Sequence, residues 1–90
     1  MEFEWDEKKN QENIKKHGIS FKHAVKTFNG HVLEWIDDRR DYGEERIIAL
    51  GRSERTILSV VYTMRGNTLR IISVRRATKD ERRKYLAVYP

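Results

Sequence analysis

The chain has 90 residues, of which 38% are hydrophobic and 37% are charged, and it contains no cysteine. A chain of this length forms one domain, residues 1–90, with a small core. Without cysteine it has neither a disulfide framework nor thiolate metal ligands, and no apolar stretch approaches the ~20 residues that cross a bilayer. The acidic, aromatic start MEFEWDEKK is unlike a signal peptide, so we expect a cytoplasmic protein.

The net charge of +5 is distributed unevenly along the chain. Residues 1–51 have nine Lys/Arg and eleven Asp/Glu, whereas residues 52–84 have ten and three. All eleven arginines lie at or after Arg39. Guanidinium is a planar, always-charged fork that matches phosphate better than the lysine ammonium does. The second half therefore predicts a surface for phosphate, with a merely solvated basic face as the alternative.

The N-terminal third is predicted to form one short strand and two helices. EFEW at 2–5 alternates polar and apolar residues, as strands do. Asp6 has the residue type of an N-cap, so a helix is expected over about 7–16, with Gly18 as its stop. Ser20 is expected to cap a second helix, in which these hydrophobic residues recur at helical spacing: Phe21, Ala24, Val25 and Phe28.

The rest of the chain is predicted to form strands and one final helix. The strands are rich in β-branched and aromatic residues and cover 31–37, 45–50, 56–64 and 68–75. Their short connections favour antiparallel hairpins. Thr78 and Glu81 have the spacing of a capping box, so a helix should begin near residue 79. This order predicts an α+β domain whose helices pack on one face of a curved, four-stranded antiparallel sheet.

The last strand places arginines next to the start of the last helix. Strict alternation would put Leu69, Ile71, Ser73 and Arg75 on one face, and Arg70, Ile72, Val74 and Arg76 on the other. Arg75 and Arg76 then lie where unpaired helix N–H groups also favour phosphate. In the helix, Arg82 lies near Tyr85, a combination typical of RNA binding. Docking of the helix by Tyr85 is an equally open interpretation.

His17 is the one histidine in a suggestive setting, because it shares a helix face with the polar residues Asn10 and Asn13. It is either a structural residue or a group that transfers protons. No H-E-x-x-H, Walker, G-x-G-x-x-G or nucleophile-elbow pattern is present, so neither a metal nor a cofactor is expected. RNA cleavage that uses the ribose 2′-OH as nucleophile remains compatible, and so does RNA binding without cleavage.

Four segments resemble, in order, the BrnT family of small toxins from bacterial type II toxin–antitoxin pairs. They are FEWDEKKNQENIKKHGISF (3–21), GEERIIALG (43–51), VVYTMRG (60–66) and RIISVRRATKDERRKY (70–85). The resemblance implies a RelE/ParE-like fold and a ribonuclease that inhibits translation and arrests growth. It also implies a BrnA-like ribbon-helix-helix antitoxin, in a heterotetramer with two toxins.

The resemblance extends to single residues where the family's motifs match. Arg75 is expected to bind phosphate and stabilise the transition state, with Arg46 second. Tyr62 and Tyr85 would stack a base or share protons, and His17 would act in acid–base catalysis. The expected substrate-binding residues are Lys16, Arg70, Arg76 and Arg82.

Two other functions remain open for this sequence. One is a non-catalytic module that binds RNA or the ribosome, and the other is a ParE-like inhibitor of DNA gyrase. The ribonuclease interpretation requires that the late arginines gather in a single electropositive pocket without being neutralised by internal acids.

Overall fold

The fold is a five-stranded sheet with three helices, seen in a computed structural model that describes residues 1–90. The helices and strands are, in chain order, β1 Glu2–Glu4, α1 Glu7–His17, α2 Phe21–Thr27, β2 Val32–Ile36, β3 Ile47–Ser53, β4 Thr56–Arg65, β5 Thr68–Arg76 and α3 Lys79–Val88. The strand order is β1-β5-β4-β3-β2, and β1 is parallel to β5 while the other pairs are antiparallel. The α+β class and the element order are confirmed, and the predicted four-stranded sheet gains β1 at one edge. No helix is both long and apolar enough to cross a membrane.

The boundaries of α1 and α3 follow from their caps. The Asp6 carboxylate accepts hydrogen bonds from the N–H groups of Lys8 (2.9 Å) and Lys9, so α1 begins there. Gly18 ends α1 in the left-handed conformation (φ 72°), which favours glycine. Thr78 and Glu81 form both reciprocal hydrogen bonds of the capping box that starts α3. These predicted caps are confirmed.

The second helix differs from its prediction at both ends. Ser20 occupies the N-cap position, but its hydroxyl lies 3.1 Å from His23 Nδ1 and makes no capping bond to the backbone. The helix ends at Thr27, so Phe28 is a half-buried C-cap that packs on Phe3 and Tyr62. The fully buried aromatic residue of this segment is Phe21.

The main core lies between the sheet and the pair α1 and α2. Its buried members come from the connection between α1 and α2, from α2 and from one face of the central strands: Ile19, Phe21, Ala24, Ala49, Leu58, Val60, Tyr62, Leu69, Ile71 and Val74. A second, smaller cluster of Leu50, Ile57 and Tyr85 lies on the other face, under α3. Tyr85 also donates a hydrogen bond to the His31 carbonyl (2.9 Å).

The prediction that all helices pack on one face of the sheet is therefore wrong. β3 has buried hydrophobic residues on both of its faces, since Ala49 belongs to the main core and Leu50 to the smaller cluster. Each apolar face must be covered, and α3 covers the second one. Because α3 covers only the end near Leu50 and Ile57, the rest of this face stays open.

A β-bulge in β5 determines which side chains reach the open face. Val61 pairs with Ser73 but Tyr62 pairs with Ile71, so Ile72 is an extra, unpaired residue. The bulge shifts the alternation by one residue, and Val74 enters the main core together with Leu69 and Ile71. The strict alternation predicted for β5 is therefore wrong beyond Ile72.

Asn13 fixes the end of α1 against the bulged part of β5. Its side-chain N–H donates to the carbonyls of Val74 (2.8 Å) and Ile19 (3.0 Å), and its side-chain oxygen accepts from the Val74 N–H (3.2 Å). β1 pairs only as far as Arg70, so the Asn13 amide replaces a neighbouring strand at Val74. The polar stripe of α1 thus makes structural hydrogen bonds, and it holds His17 beside the edge of β5.

Candidate active site

A cleft of about 280 Å³ lies on the open face of the sheet. Its floor consists of side chains from the three central strands: Ile48, Ser59, Val61 and Ser73. Its walls carry four groups that are cationic or can become so: Lys16, His17, Arg39 and Arg75. An apolar floor with a few polar groups inside a basic rim is suited to an anionic ligand.

Arg75 is held in the cleft by Glu81 of α3. Two parallel hydrogen bonds join its guanidinium to that carboxylate, at 2.7 and 3.0 Å. They raise the pKa of Arg75 and lower the pKa of Glu81. A third N–H donates to the Arg76 carbonyl (3.2 Å). Guanidinium has five N–H donors, so two remain for a ligand.

Arg39 faces Arg75 from the loop after β2. It makes two parallel hydrogen bonds to Asp37, both 2.7 Å long, and the Asp37 carboxylate also accepts from the Tyr42 hydroxyl (3.0 Å). The Asp37 carboxylate is buried, whereas 63% of the Arg39 side chain is exposed. The positive charge of Arg39 opposes the rise in the pKa of Arg75. Two guanidinium groups that repel each other in this way favour an anion between them.

The Asp37–Arg39 pair predicts a specific effect of acid on stability. The guanidinium holds the pKa of Asp37 well below its usual range. The pair therefore contributes its full stability above the unfolded-state pKa of ~3.9, and that contribution is lost as the pH falls through the lower pKa of the folded state. We expect Asp37→Asn to lower the urea midpoint at neutral pH and to flatten its fall below about pH 4. The neighbouring Asp38→Asn, which removes an exposed acid without an ion pair, should change neither property.

His17 and Lys16 reach the cleft around the free edge of β5. They end α1, where the helix dipole favours positive charge. The Asn13 hydrogen bonds to Val74 place this end of the helix next to Arg75. Three of the predicted site residues, Arg75, His17 and Lys16, therefore come together in one cleft.

The two predicted tyrosines lie outside the cleft. Tyr62 faces the main core and donates a hydrogen bond to Glu34. Burial and this hydrogen bond raise the pKa of Tyr62. Tyr85 is 3% exposed and docks α3 on the sheet. Its contacts therefore favour a structural role.

The remaining predicted arginines are distributed over three other places. Arg46 pairs with Glu44 (3.2 Å) and lies 4.2 Å from the Tyr42 ring centroid, so it supports the loop that carries Arg39. Arg70 pairs with Glu4 at the β1 edge. Arg76 and Arg82 line a separate cavity near the start of α3. The expectation that all these guanidinium groups share one pocket, free of internal acids, is wrong. The ribonuclease interpretation is left with the two arginines of the cleft, Arg39 and Arg75, and Arg75 keeps two N–H donors for a ligand.

Three polar residues of the cleft were not among the predicted site residues: Arg39, Ser59 and Ser73. Ser59 is 3% exposed and lies directly opposite Arg75 in the sheet. Ser59 interrupts the apolar run TILSVVY, and this interruption could have predicted a polar group in the floor of the cleft. The pairing of Arg39 with Asp37 had no such signal, because it depends on how the charged loop DDRRD folds.

The comparisons with known proteins agree with this architecture. A family model described as "Ribonuclease toxin, BrnT, of type II toxin-antitoxin system" matches residues 5–81. The crystal structure of the Brucella abortus ribonuclease toxin BrnT is similar at 30% sequence identity and a TM-score of 0.66, covering 88% of this chain and 99% of that one. None of the curated proteins matches. The family model covers most of the chain, including every wall residue of the cleft and Glu81. The chain therefore belongs to the BrnT family of ribonuclease toxins of type II toxin–antitoxin systems.

Proposed function

We propose that the chain is an endoribonuclease that cuts RNA in the cleft without a metal ion. The observation that supports this most directly is the convergence of Arg39, Arg75 and His17 over a floor that includes two serines. A phosphodiester between the two guanidinium groups would receive charge-assisted hydrogen bonds from both sides. A histidine at the same phosphate supplies an imidazole that can accept or donate a proton in the reaction.

The proposed reaction is an internal transesterification of RNA. The ribose 2′-oxygen attacks the adjacent phosphorus as its proton leaves, and the bond from phosphorus to the 5′-oxygen breaks as that oxygen gains a proton. The products are a 2′,3′-cyclic phosphate and a 5′-hydroxyl end. Arg75 and Arg39 stabilise the additional negative charge of the transition state, and His17 exchanges one of the two protons.

The electrostatics of the cleft support chemistry that does not depend on a metal. The carboxylates that hold the two cleft arginines, those of Asp37 and Glu81, each accept two hydrogen bonds from an arginine. A hard divalent cation needs oxygen ligands, and here it would be repelled by the positive walls. No group of three or more His, Asp or Glu side chains converges anywhere in the fold.

Incubation of the purified chain with single-stranded RNA in EDTA tests this proposal. We expect fragments with 2′,3′-cyclic phosphate ends, and no cutting of an RNA whose 2′-hydroxyls are methylated. Cleavage that requires added Mg²⁺ would contradict the metal-free mechanism. RNA retention without cleavage would favour a non-catalytic binding module. Gyrase inhibition without any effect on RNA would favour a ParE-like gyrase inhibitor. A preparation of Arg75→Gln, purified identically, controls for contaminating nucleases.

For the biological setting, we propose that the chain inhibits translation in the cytoplasm until an antitoxin binds it. Membership of a type II toxin family supports a protein antitoxin as the partner. The resemblance supports a BrnA-like ribbon-helix-helix protein, in a heterotetramer with two toxins. Size-exclusion chromatography with light scattering on the co-expressed pair would measure this stoichiometry.

A further inference from the structure

Four arginines line a second cavity, of about 310 Å³, where β5 passes into α3. We call it the four-arginine site and define it by Arg52, Arg55, Arg76 and Arg82. Its other lining residues are Thr56, Ile57, Ala77 and Leu86, so no acidic side chain takes part.

None of these four arginines has a carboxylate partner. Of the eleven arginines in the chain, five form ion pairs within the fold: Arg39, Arg46, Arg70, Arg75 and Arg83. Four of the six unpaired ones are the members of this site. Like charges gathered around one cavity repel each other and destabilise the folded chain unless an anion neutralises them. Arg76 donates a hydrogen bond to the His17 carbonyl (3.2 Å) and Arg52 lies over the Tyr85 ring, but neither contact neutralises the positive charge.

The local structure brings the four side chains together from two directions. The tight β3–β4 hairpin, in which Glu54 adopts a left-handed conformation (φ 58°), supplies Arg52 and Arg55. The passage from β5 to α3 supplies Arg76 and Arg82. The Ala77 N–H donates to the Ile57 carbonyl (3.0 Å) and joins these two parts of the chain.

The four-arginine site and the active-site cleft are lined by residues that are neighbours in sequence. Arg75 lies in the cleft and the next residue, Arg76, in the four-arginine site. In the same way, Glu81 binds Arg75 and the next residue, Arg82, lines the second cavity. The two sites therefore share the junction of β5 and α3, although Arg75 and Arg76 point to opposite faces of the sheet.

We propose that the four-arginine site binds backbone phosphates of the same RNA strand whose cleavage site lies in the cleft. This inference rests on the proposed function, and it adds Arg52 and Arg55 to the RNA-binding surface. Four guanidinium forks without any lysine suit bidentate contacts with phosphates. Carboxylates have a matching geometry, so the choice of RNA over an acidic protein rests on the proposed cleavage of RNA in the neighbouring cleft. Release of counterions from such a strand supplies binding energy that does not depend on base sequence.

Salt-dependent RNA binding by Arg52→Gln/Arg55→Gln tests this inference. The probe is a fluorescently labelled, 2′-O-methylated single-stranded RNA, which the proposed reaction cannot cut, and the readout is its anisotropy. For two lost phosphate contacts, the slope of log affinity against log salt between about 50 and 200 mM should become shallower by ~1.4. The matched control, Arg65→Gln/Arg83→Gln, removes the same charge outside the site and should leave the slope near that of the unchanged chain.

Two further readouts separate the outcomes. Without RNA, the melting temperature of Arg52→Gln/Arg55→Gln at low salt should rise, because repulsion is relieved. Its KM for cleavable RNA should rise while kcat stays unchanged. Equal slopes for both double variants, or preferential binding of polyglutamate over RNA, would overturn the four-arginine site as an RNA site. RNA binding that depends on this site, in a chain that never cuts RNA, would instead overturn the proposed ribonuclease activity and leave this inference standing.

Discussion

Replacing Arg75 with glutamine is expected to lower kcat for RNA cleavage by ~10²–10³-fold, the loss typical of one preorganised donor to a transition-state anion. Two N–H donors of Arg75 are free to reach a phosphate, and the Glu81 hydrogen bonds hold them in place. Glutamine has a shorter, neutral side chain, so both the charge and the forked geometry are lost. The measurement is single-turnover cleavage of a defined RNA at saturating enzyme.

Folding and RNA binding must be followed in the same experiment. The Arg75–Glu81 pair is partly exposed, so its loss should change the melting temperature little. The Thr78 cap should still start α3. Arg65→Gln, which removes an exposed arginine far along the sheet, is the matched control and should cleave normally. An Arg75→Gln chain that keeps more than about a tenth of the original rate would remove this residue from the catalytic proposal.

Replacing Asn13 with alanine should lower the free energy of unfolding by about 3 kcal/mol or more, because three buried backbone groups lose their partner at ~1–3 kcal/mol each. Those groups are the Val74 N–H and the carbonyls of Val74 and Ile19. Domains of this size have a total stability of only ~5–13 kcal/mol. Urea denaturation followed by far-UV circular dichroism measures the change.

Two other substitutions in α1 provide smaller expected losses of stability for comparison. Asn10→Ala removes one buried contact of this kind, the bond from the Phe21 N–H (2.9 Å), and should cost clearly less. Gln11→Ala removes only an exposed side-chain contact to Glu7 and should be close to neutral. If Asn13→Ala costs no more than Gln11→Ala, Asn13 does not fix α1 against β5.

Local signals in the sequence account for most of the secondary structure. Asp6 and the Thr78–Glu81 capping box mark helix starts through hydrogen bonds that span only a few residues, so they were readable in advance. The strands likewise lie within a few residues of the apolar runs that predicted them. Phe28 was misplaced because helical spacing alone cannot show that a helix stops one residue earlier.

The candidate site was only partly predictable, because it depends on tertiary structure. The extra residue Ile72 turns Ser73 and Arg75 toward the open face, and nothing in the run RIISVRR distinguishes a bulge from regular alternation. The composition gives the number of arginines but not their partners. Arg70 forms an ion pair with Glu4, near the other end of the chain, whereas Arg82 has no carboxylate partner. Arg75 was identified because a cation beside a helix start is a local pattern.

The parallel pairing of β1 with β5 has a consequence for the newborn chain. Residues 2–4 pair with residues 68–70, which are synthesised much later. The residues that form the cleft and hold Arg75 in it extend from Lys16 to Glu81. Contacts so distant in sequence form late during synthesis. A chain that ends before residue 81 therefore lacks the carboxylate that holds Arg75 in the cleft.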